Sequence, residues 1–575
     1  MLDYLIRGGT LVDGTGSPGV KGDIGVRDGR IVSVGGSIDE EAAEILEADG
    51  LVVSPGFVDV HTHYDAQLFW DPYATPSNVH GVTTVLGGNC GFTLAPLHAK
   101  DADYLRRMMA KVEGMPLAAL ENGLDWKWES FGEYLDTLDG KIGLNAAFLV
   151  GHCALRRYVM GEDAIGNEAT PEQIDEMVRV LHASIEAGAI GFSTTLSSTH
   201  SDGDGKPVAS RWASRDELIA LCKATGEHEG TLLEGIVQGC LDKFSDDEIE
   251  LLADMSAAAG RPLNWNVLTI DGRTPEKVDH QLKASARARE KGGRVVALTM
   301  PTLVPMNMSL RTFCALNLIP GWADVLGLPI PERIAALKDK TTRDEMLRRA
   351  NSPEAGVFRR LADFGRYVIG DTFSAENEGL KGRKVADIAE ERGDADPFET
   401  LVDIAAADEL KTVLWPMPTD NDPGSWTLRA DTWDNPDVVL GGSDAGAHLD
   451  RMAGAPYPTR FLGDCLRGRK LLPLERAIQM MTDEPAQLFG LRERGRLAEG
   501  YWADIAVFDP ETVTSDDVTL VADLPGGSAR LTGGSQGVVR VLVNGVEIVR
   551  DGAASGALPG TLMRSGRDTV SVNTH

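Results

Sequence analysis

SPGFVDVHTHYD, residues 54–65, is the stretch that decides the fold. It reads as an apolar strand introduced by Pro55-Gly56 and ending in two histidines, His61 and His63. Side chains on a strand alternate, so these two project to the same side. At the C-terminal end of the first strand of a (β/α)8 barrel that side is the interior, where such barrels carry their chemistry. Two imidazoles so placed converge on one metal ion and leave their other ring nitrogens for supporting hydrogen bonds.

The flanking sequence fits a barrel with a small β module. Residues 1–56 carry short apolar segments (Tyr4–Ile6, Asp23–Val26, Ile31–Val34, Leu51–Val53) punctuated by Gly, Pro and Asp, a pattern of tight turns. A similar texture returns in WADIAVFDP (502–510) and VVRVLVNGVEIVRDG (538–552), the latter with an Asn-Gly hairpin signal. Between them, strands alternate with helices. TPEQIDEMVRVLHASIEAG (170–188) is a helix with Thr170 as N-cap and Pro171 in its first turn. GAIGFST (188–194) follows as a strand, then a helix opened by a Ser214–Glu217 capping box, then the strand TLLEGIV (231–237). RPLNWNVLTI, RVVALTM and PDVVLGGSD are further strands. The expected fold class is α/β: a (β/α)8 TIM-type barrel over 57–484, with an insertion at about 304–430, and a β-sandwich domain from 1–56 and 485–575.

Composition narrows the function. A formal charge of −31 argues against a nucleic-acid partner, whose phosphates call for a basic face. Six cysteines without CxxC spacing fit a reducing compartment. The N-terminus has no signal-peptide pattern, and no apolar run reaches the ~18 residues of a membrane span. A cytoplasmic protein acting on a small-molecule substrate, without membrane association, is expected; homo-oligomerisation stays open.

With these segments in place, DGTGSPG, DIGVRDGRIVSVG and LVVSPGFVDVHTHYD resemble the opening of an amidohydrolase, and within that superfamily a D-aminoacylase, or N-acyl-D-amino-acid deacylase. HGVTTVLGGNCGFTLAP (80–96), GHCALRRYVMG (151–161), GLKGRKVADIAEERG (379–393) and GGSDAGAH (441–448) extend the likeness over most of the chain. The resemblance implies that Cys90, in GGNCG, is a thiolate metal ligand, the fourth-strand segment GAIGFSTTL having no lysine to serve instead. It also implies that Asp444 is the general base and touches the metal.

The chain departs from that family at two places. The metal histidines expected on the fifth and sixth strands are missing from GTLLEGIV and RPLNWNVL. The simplest set is one zinc ion on His61, His63, Cys90 and Asp444, with Glu234 a further oxygen ligand; two ions, or another divalent transition metal, are the alternatives. Asn264 and Asn266, on one face of the sixth strand, suit hydrogen bonding to substrate. His152, Arg156, His200, His448, Arg451 and Arg460 complete the substrate-binding candidates. For His152 and Arg156 a satisfied core role weighs equally; His448 is placed to orient Asp444, and an arginine can hold a carboxylate by a bidentate pair. The expected activity is metal-dependent hydrolysis of a carbon–nitrogen amide bond, most simply in an N-acyl amino acid. Cyclic amide, imide or lactone hydrolysis, and a catalytically silent binding protein, are the rival readings.

Overall fold

The structure is a computed structural model that describes residues 1–312 and 314–574. It divides into two compact units, Met1–Val304 with Pro423–His575, and Pro305–Asp422.

In the first unit, parallel strands supply most of the buried framework. Phe57–Asp59, Val82–Gly87 and Asn145–Phe148 pair in that order. A second run comprises Val150–Gly151, Gly191–Thr195, Leu232–Ile236, Pro262–Trp265, Arg294–Thr299 and Val438–Leu440, every neighbouring pair parallel. A single residue, Leu149, separates the last strand of the first set from the first strand of the second. At the other extreme Thr62 bridges Ala445, and His63 N–H donates to the Ala445 carbonyl at 2.7 Å. One apolar cluster draws Val58, Val60, Leu86, Ala147, Leu149, Ile190, Leu232, Val296, Leu298 and Val439 from these strands and their edges. Strands whose two faces are both covered carry the continuous apolar runs seen in the sequence.

Local signals set the helix ends. Thr170 and Gln173 form a reciprocal capping box before the Pro171–Glu186 helix. Ser214 accepts from Glu217 N–H at 3.3 Å, but the returning bond of that predicted box does not form. The Glu217 carboxylate turns inward instead, to His152 and Arg156.

A nine-stranded sheet joins the two chain ends: Ile505–Phe508 runs antiparallel to Val52–Pro55 on one side and to Val538–Val543 on the other. Val538–Val543 and Val546–Arg550 are joined at Asn544-Gly545, both with positive φ (48° and 77°), as a two-residue hairpin of this type requires. Ala42–Glu47, whose composition (AAEILE) favours a helix, instead pairs in parallel with Leu2–Leu11 at the sheet edge; an available strand edge overrides a weak local preference.

The Pro305–Asp422 unit has its own core, in which Trp322, Phe364, Tyr367 and Phe398 pack together. Its helices Ile330–Lys338 and Lys340–Ala350 are separated at Asp339, which caps the second by accepting from Thr342 N–H at 2.8 Å. Among the described residues no helix is long and apolar enough to cross a membrane.

Candidate metal centre

The regular first strand stops at Asp59, two residues before His61, so simple alternation does not hold the two imidazoles. The Thr62–Ala445 bridge does, together with Thr62 Oγ1 donating to the Leu86 carbonyl at 2.8 Å. Gly446 (φ 91°) makes this crossing close enough: a Cβ there would meet the His63 carbonyl carbon at 2.7 Å.

Cys90 arrives from the loop after Val82–Gly87. Gly88, Cys90 and Gly91 all have positive φ (75°, 57° and 77°), which coils the loop back over the strand end. A side chain at Gly88 would run into the Leu149 carbonyl oxygen at 2.3 Å. Glu234, on Leu232–Ile236, clamps this loop by accepting the Cys90 N–H at Oε2, 2.8 Å away. Cys90 and Asp444 (φ 51°) are both non-glycine residues in the left-handed region, a conformation costing about 1 kcal/mol or more that concentrates at functional sites.

The donor atoms converge. Cys90 Sγ lies 3.3 Å from His61 Nε2 and 3.9 Å from His63 Nε2. Asp444 Oδ1 lies 3.4 Å and 3.9 Å from the same two nitrogens. Ligand atoms on a tetrahedral zinc are separated by about 3.4–3.6 Å, given Zn–N and Zn–S lengths of about 2.0 and 2.3 Å. Among the described residues, His61, His63 and Cys90 form the one group of three or more such side chains whose ligand atoms all lie within 4.8 Å of one another.

The electrostatics point the same way. Burial holds His61 far below the ordinary histidine range and His63 at about 3, so both imidazoles are neutral. Burial, with Glu234 and Glu113 nearby, pushes the Cys90 thiol well up. Burial likewise raises Glu234 and Glu113 well above the carboxylate range and lifts Asp59, Asp65 and Asp444 to about 7. Neutral imidazoles, a thiol and nearby buried carboxyls suit a divalent cation, with the Arg451 guanidinium also felt at Glu113. Glu234 Oε1 and the Nδ1 atoms of His61 and His63 are buried without a hydrogen-bond partner. The residues present therefore fit a metal ion.

The other predicted positions separate into two groups. Asn266 donates from Nδ2 to Asp444 Oδ1 at 3.2 Å, while its own Oδ1 has no hydrogen-bond partner. His200 is near enough for its charge to be felt at His61, His63 and His448, and its Nδ1 pairs with Thr195 Oγ1 at 2.8 Å. Among the described residues His448 makes no hydrogen bond to Asp444; its Nδ1 accepts from Arg451 Nη2 at 3.1 Å. Asn264 is turned to the neighbouring strand, donating to the Leu233 carbonyl. Arg460 donates to Ser515 Oγ at 3.1 Å. His152 and Arg156 are fully buried: His152 pairs with Thr194 Oγ1 and Glu217 at 2.8 Å each, and Arg156 with the other Glu217 oxygen and the Asn167 carbonyl, leaving only its Nε without a partner. Of the two roles open to them, those partners describe the core one.

Sequence reading missed Glu113, whose Oε1 is 3.6 Å from His63 Nδ1. It also missed Asp59, which accepts from Ser443 Oγ at 2.7 Å, and Asp65, which accepts from Gly88 N–H. The two aspartates flank the histidines in the opening segment and were available to inspection. Glu113, in KVEGMP, carried no signal.

Residues 44–549 match the Amidohydrolase family. A D-aminoacylase of Alcaligenes xylosoxydans xylosoxydans is 29% identical, over 98% of this chain and 97% of its own length. An N-acyl-D-glutamate deacylase of the same organism is 29% identical, over 98% and 96%. Among solved structures, N-acyl-D-glutamate deacylase from Bordetella bronchiseptica, complexed with zinc and a phosphonate mimic of the tetrahedral intermediate, superposes with a TM-score of 0.64 at 27% identity, covering 98% of this chain and all of that one.

Proposed function

The chain belongs to the amidohydrolase family, and from that premise we propose that it hydrolyses the amide bond of an N-acyl amino acid at a zinc site built on His61, His63, Cys90 and Asp444. The observation that carries the reading is the convergence of two imidazole Nε2 atoms and one thiol, with the Asp444 carboxylate set against both nitrogens. Glu234, with one oxygen unpartnered and the other holding the Cys90 N–H, is a reserve oxygen donor beside this set. When bound, the ion supplies Lewis acidity to the amide carbonyl and lowers the pKa of a water towards ~7.

The chain's own residues do the rest. Asp444 takes the proton of the attacking water as the C–O bond forms, and returns it to the amine nitrogen as the C–N bond breaks. Asn266, donating to Oδ1, keeps that carboxylate turned into the site. His200, His448 and Arg451 form the side on which we place the substrate.

We read the two parallel sheets as one eight-stranded (β/α)8 barrel. The reading is supported by the one-residue gap at Leu149, the Thr62–Ala445 bridge and the shared apolar cluster, and by the likeness to the deacylase structure. In it the sheet built from both chain ends is the β-sandwich domain, and the 305–422 unit is the insertion. Buried cysteines without CxxC spacing support a cytoplasmic setting.

The test is zinc content per chain on protein purified without chelator, with a panel of N-acyl amino acids and the variants His61→Ala and Cys90→Ala. Zinc that both variants lose, together with deacylation in the wild type, is the expected result. Wild-type protein that neither holds nor takes up a divalent metal overturns the assignment.

A further inference from the structure

Glu113 breaks local rules on two counts. It is the residue just past the Ala102–Val112 helix, its N–H bonded to the Met109 carbonyl at 2.9 Å, where the helix dipole disfavours negative charge. Its side chain is 3% exposed, and burying a carboxylate is costly unless something compensates. Such violations mark sites that serve something other than the local fold.

Its surroundings show what it serves. The His63 ring has two distinct ends. Nε2 looks towards Cys90 Sγ and Asp444 Oδ1, both at 3.9 Å. Nδ1 has no hydrogen-bond partner, and Glu113 Oε1 stands 3.6 Å from it. A neutral imidazole has one proton to place. On Nδ1 it faces a carboxylate; on Nε2 it would block the lone pair a metal needs.

Glu113 is also fastened to the loop that carries Asp444. Its carbonyl accepts the His448 N–H. The next residue, Gly114 (φ 57°), lies so close that a Cβ would come within 2.7 Å of Arg451 Nη2 and 3.2 Å of the His448 Cα. The helix end is thereby pinned against residues 448–451, with its last carboxylate delivered to His63.

We infer that Glu113 is the positioning residue for His63: it accepts the Nδ1–H and so leaves Nε2 as the metal-binding atom. This rests on the metal-dependent reading above. It adds a residue between the second and third strands to the segments that hold the donor atoms.

The experiment compares zinc affinity, by competition with a chromophoric chelator, in the wild type, Glu113→Gln and Glu113→Asp. Loss of an outer carboxylate partner of a ligating histidine weakens metal binding about 10–100-fold. That loss is expected for Glu113→Gln, with a smaller one for Glu113→Asp. The visible bands of the cobalt-substituted protein should shift, and KM should hold while kcat falls. Should Glu113→Gln fail to fold by thermal melting, nitrogen-15 spectra of the zinc-loaded wild type still decide: His63 must carry its proton on Nδ1. Equal zinc affinity and an unchanged cobalt spectrum in Glu113→Gln, or a proton on Nε2, overturn the inference and leave the hydrolase standing. A wild type that takes up no metal overturns both.

Discussion

Among the described residues two buried clusters combine histidine with carboxylate, and they differ in how far their histidine nitrogens are satisfied. Around His152 every ring nitrogen is paired, with Thr194 on one side and Glu217 on the other, and Glu217 is shared with the Arg156 guanidinium. Positive and negative charge are matched within the cluster. Around His61 and His63 the Nδ1 atoms and Glu234 Oε1 lack partners, lone pairs point at a common centre, and carboxyls outnumber cations. A network whose charges are matched and whose ring nitrogens are satisfied, with Arg156 Nε alone left over, braces the wall between a strand and its helix. An incomplete one, kept buried at that cost, describes a place for a ligand.

The comparison can be broken in several ways. The largest effect belongs to Asp444→Asn, which keeps the size and the left-handed turn but removes the base. It should lower kcat by about 10²–10⁴-fold with little change in melting temperature, read from steady-state kinetics and thermal unfolding on one preparation. A variant that loses activity only by unfolding would place Asp444 with the structural cluster. Glu217→Ala should do the reverse. It leaves Arg156 buried without its carboxylate and should cost about 3–5 kcal/mol of stability, while kcat per folded molecule and zinc content stay near wild type. Denaturant unfolding measures the first and kinetics the second; a large fall in kcat would put the His152 cluster in the substrate's path. The smallest effect is that of Asn266→Ala, which removes one hydrogen bond to Asp444. A bond to a charged group is worth about 1.5–3 kcal/mol, so kcat should fall at least about tenfold, with KM nearly constant. A rise in KM alone would return Asn266 to direct substrate binding.

The difference between the clusters was only half legible beforehand. His61 and His63 announced themselves by spacing after an apolar strand, and the likeness to deacylases pointed to Cys90 and Asp444. Asn266 was noticed for hydrogen bonding, and its bond to Asp444 was not foreseen because that contact spans 178 residues of chain. Glu217 looked like half of a capping box, and its neighbours in sequence gave no hint that its carboxylate turns to His152, 65 residues back. Glu113, just past the Ala102–Val112 helix, carried no signal in the sequence.

What the sequence by itself determined was periodicity and punctuation. Apolar runs, Thr170 with Pro171, and Asn544-Gly545 specify elements through forces that act within a few residues, so the elements could be named in order. Whether a histidine between strand and helix is satisfied or waiting was decided only in the tertiary structure. That depends on which carboxylates, hydroxyls and carbonyls from distant segments reach it once burial has made an unpaired polar atom expensive. The Thr62–Ala445 bridge, the Glu234 clamp on Cys90 and the Glu113 contact with His63 all join segments far apart in the chain, and through them a weak His-x-His pattern becomes a site.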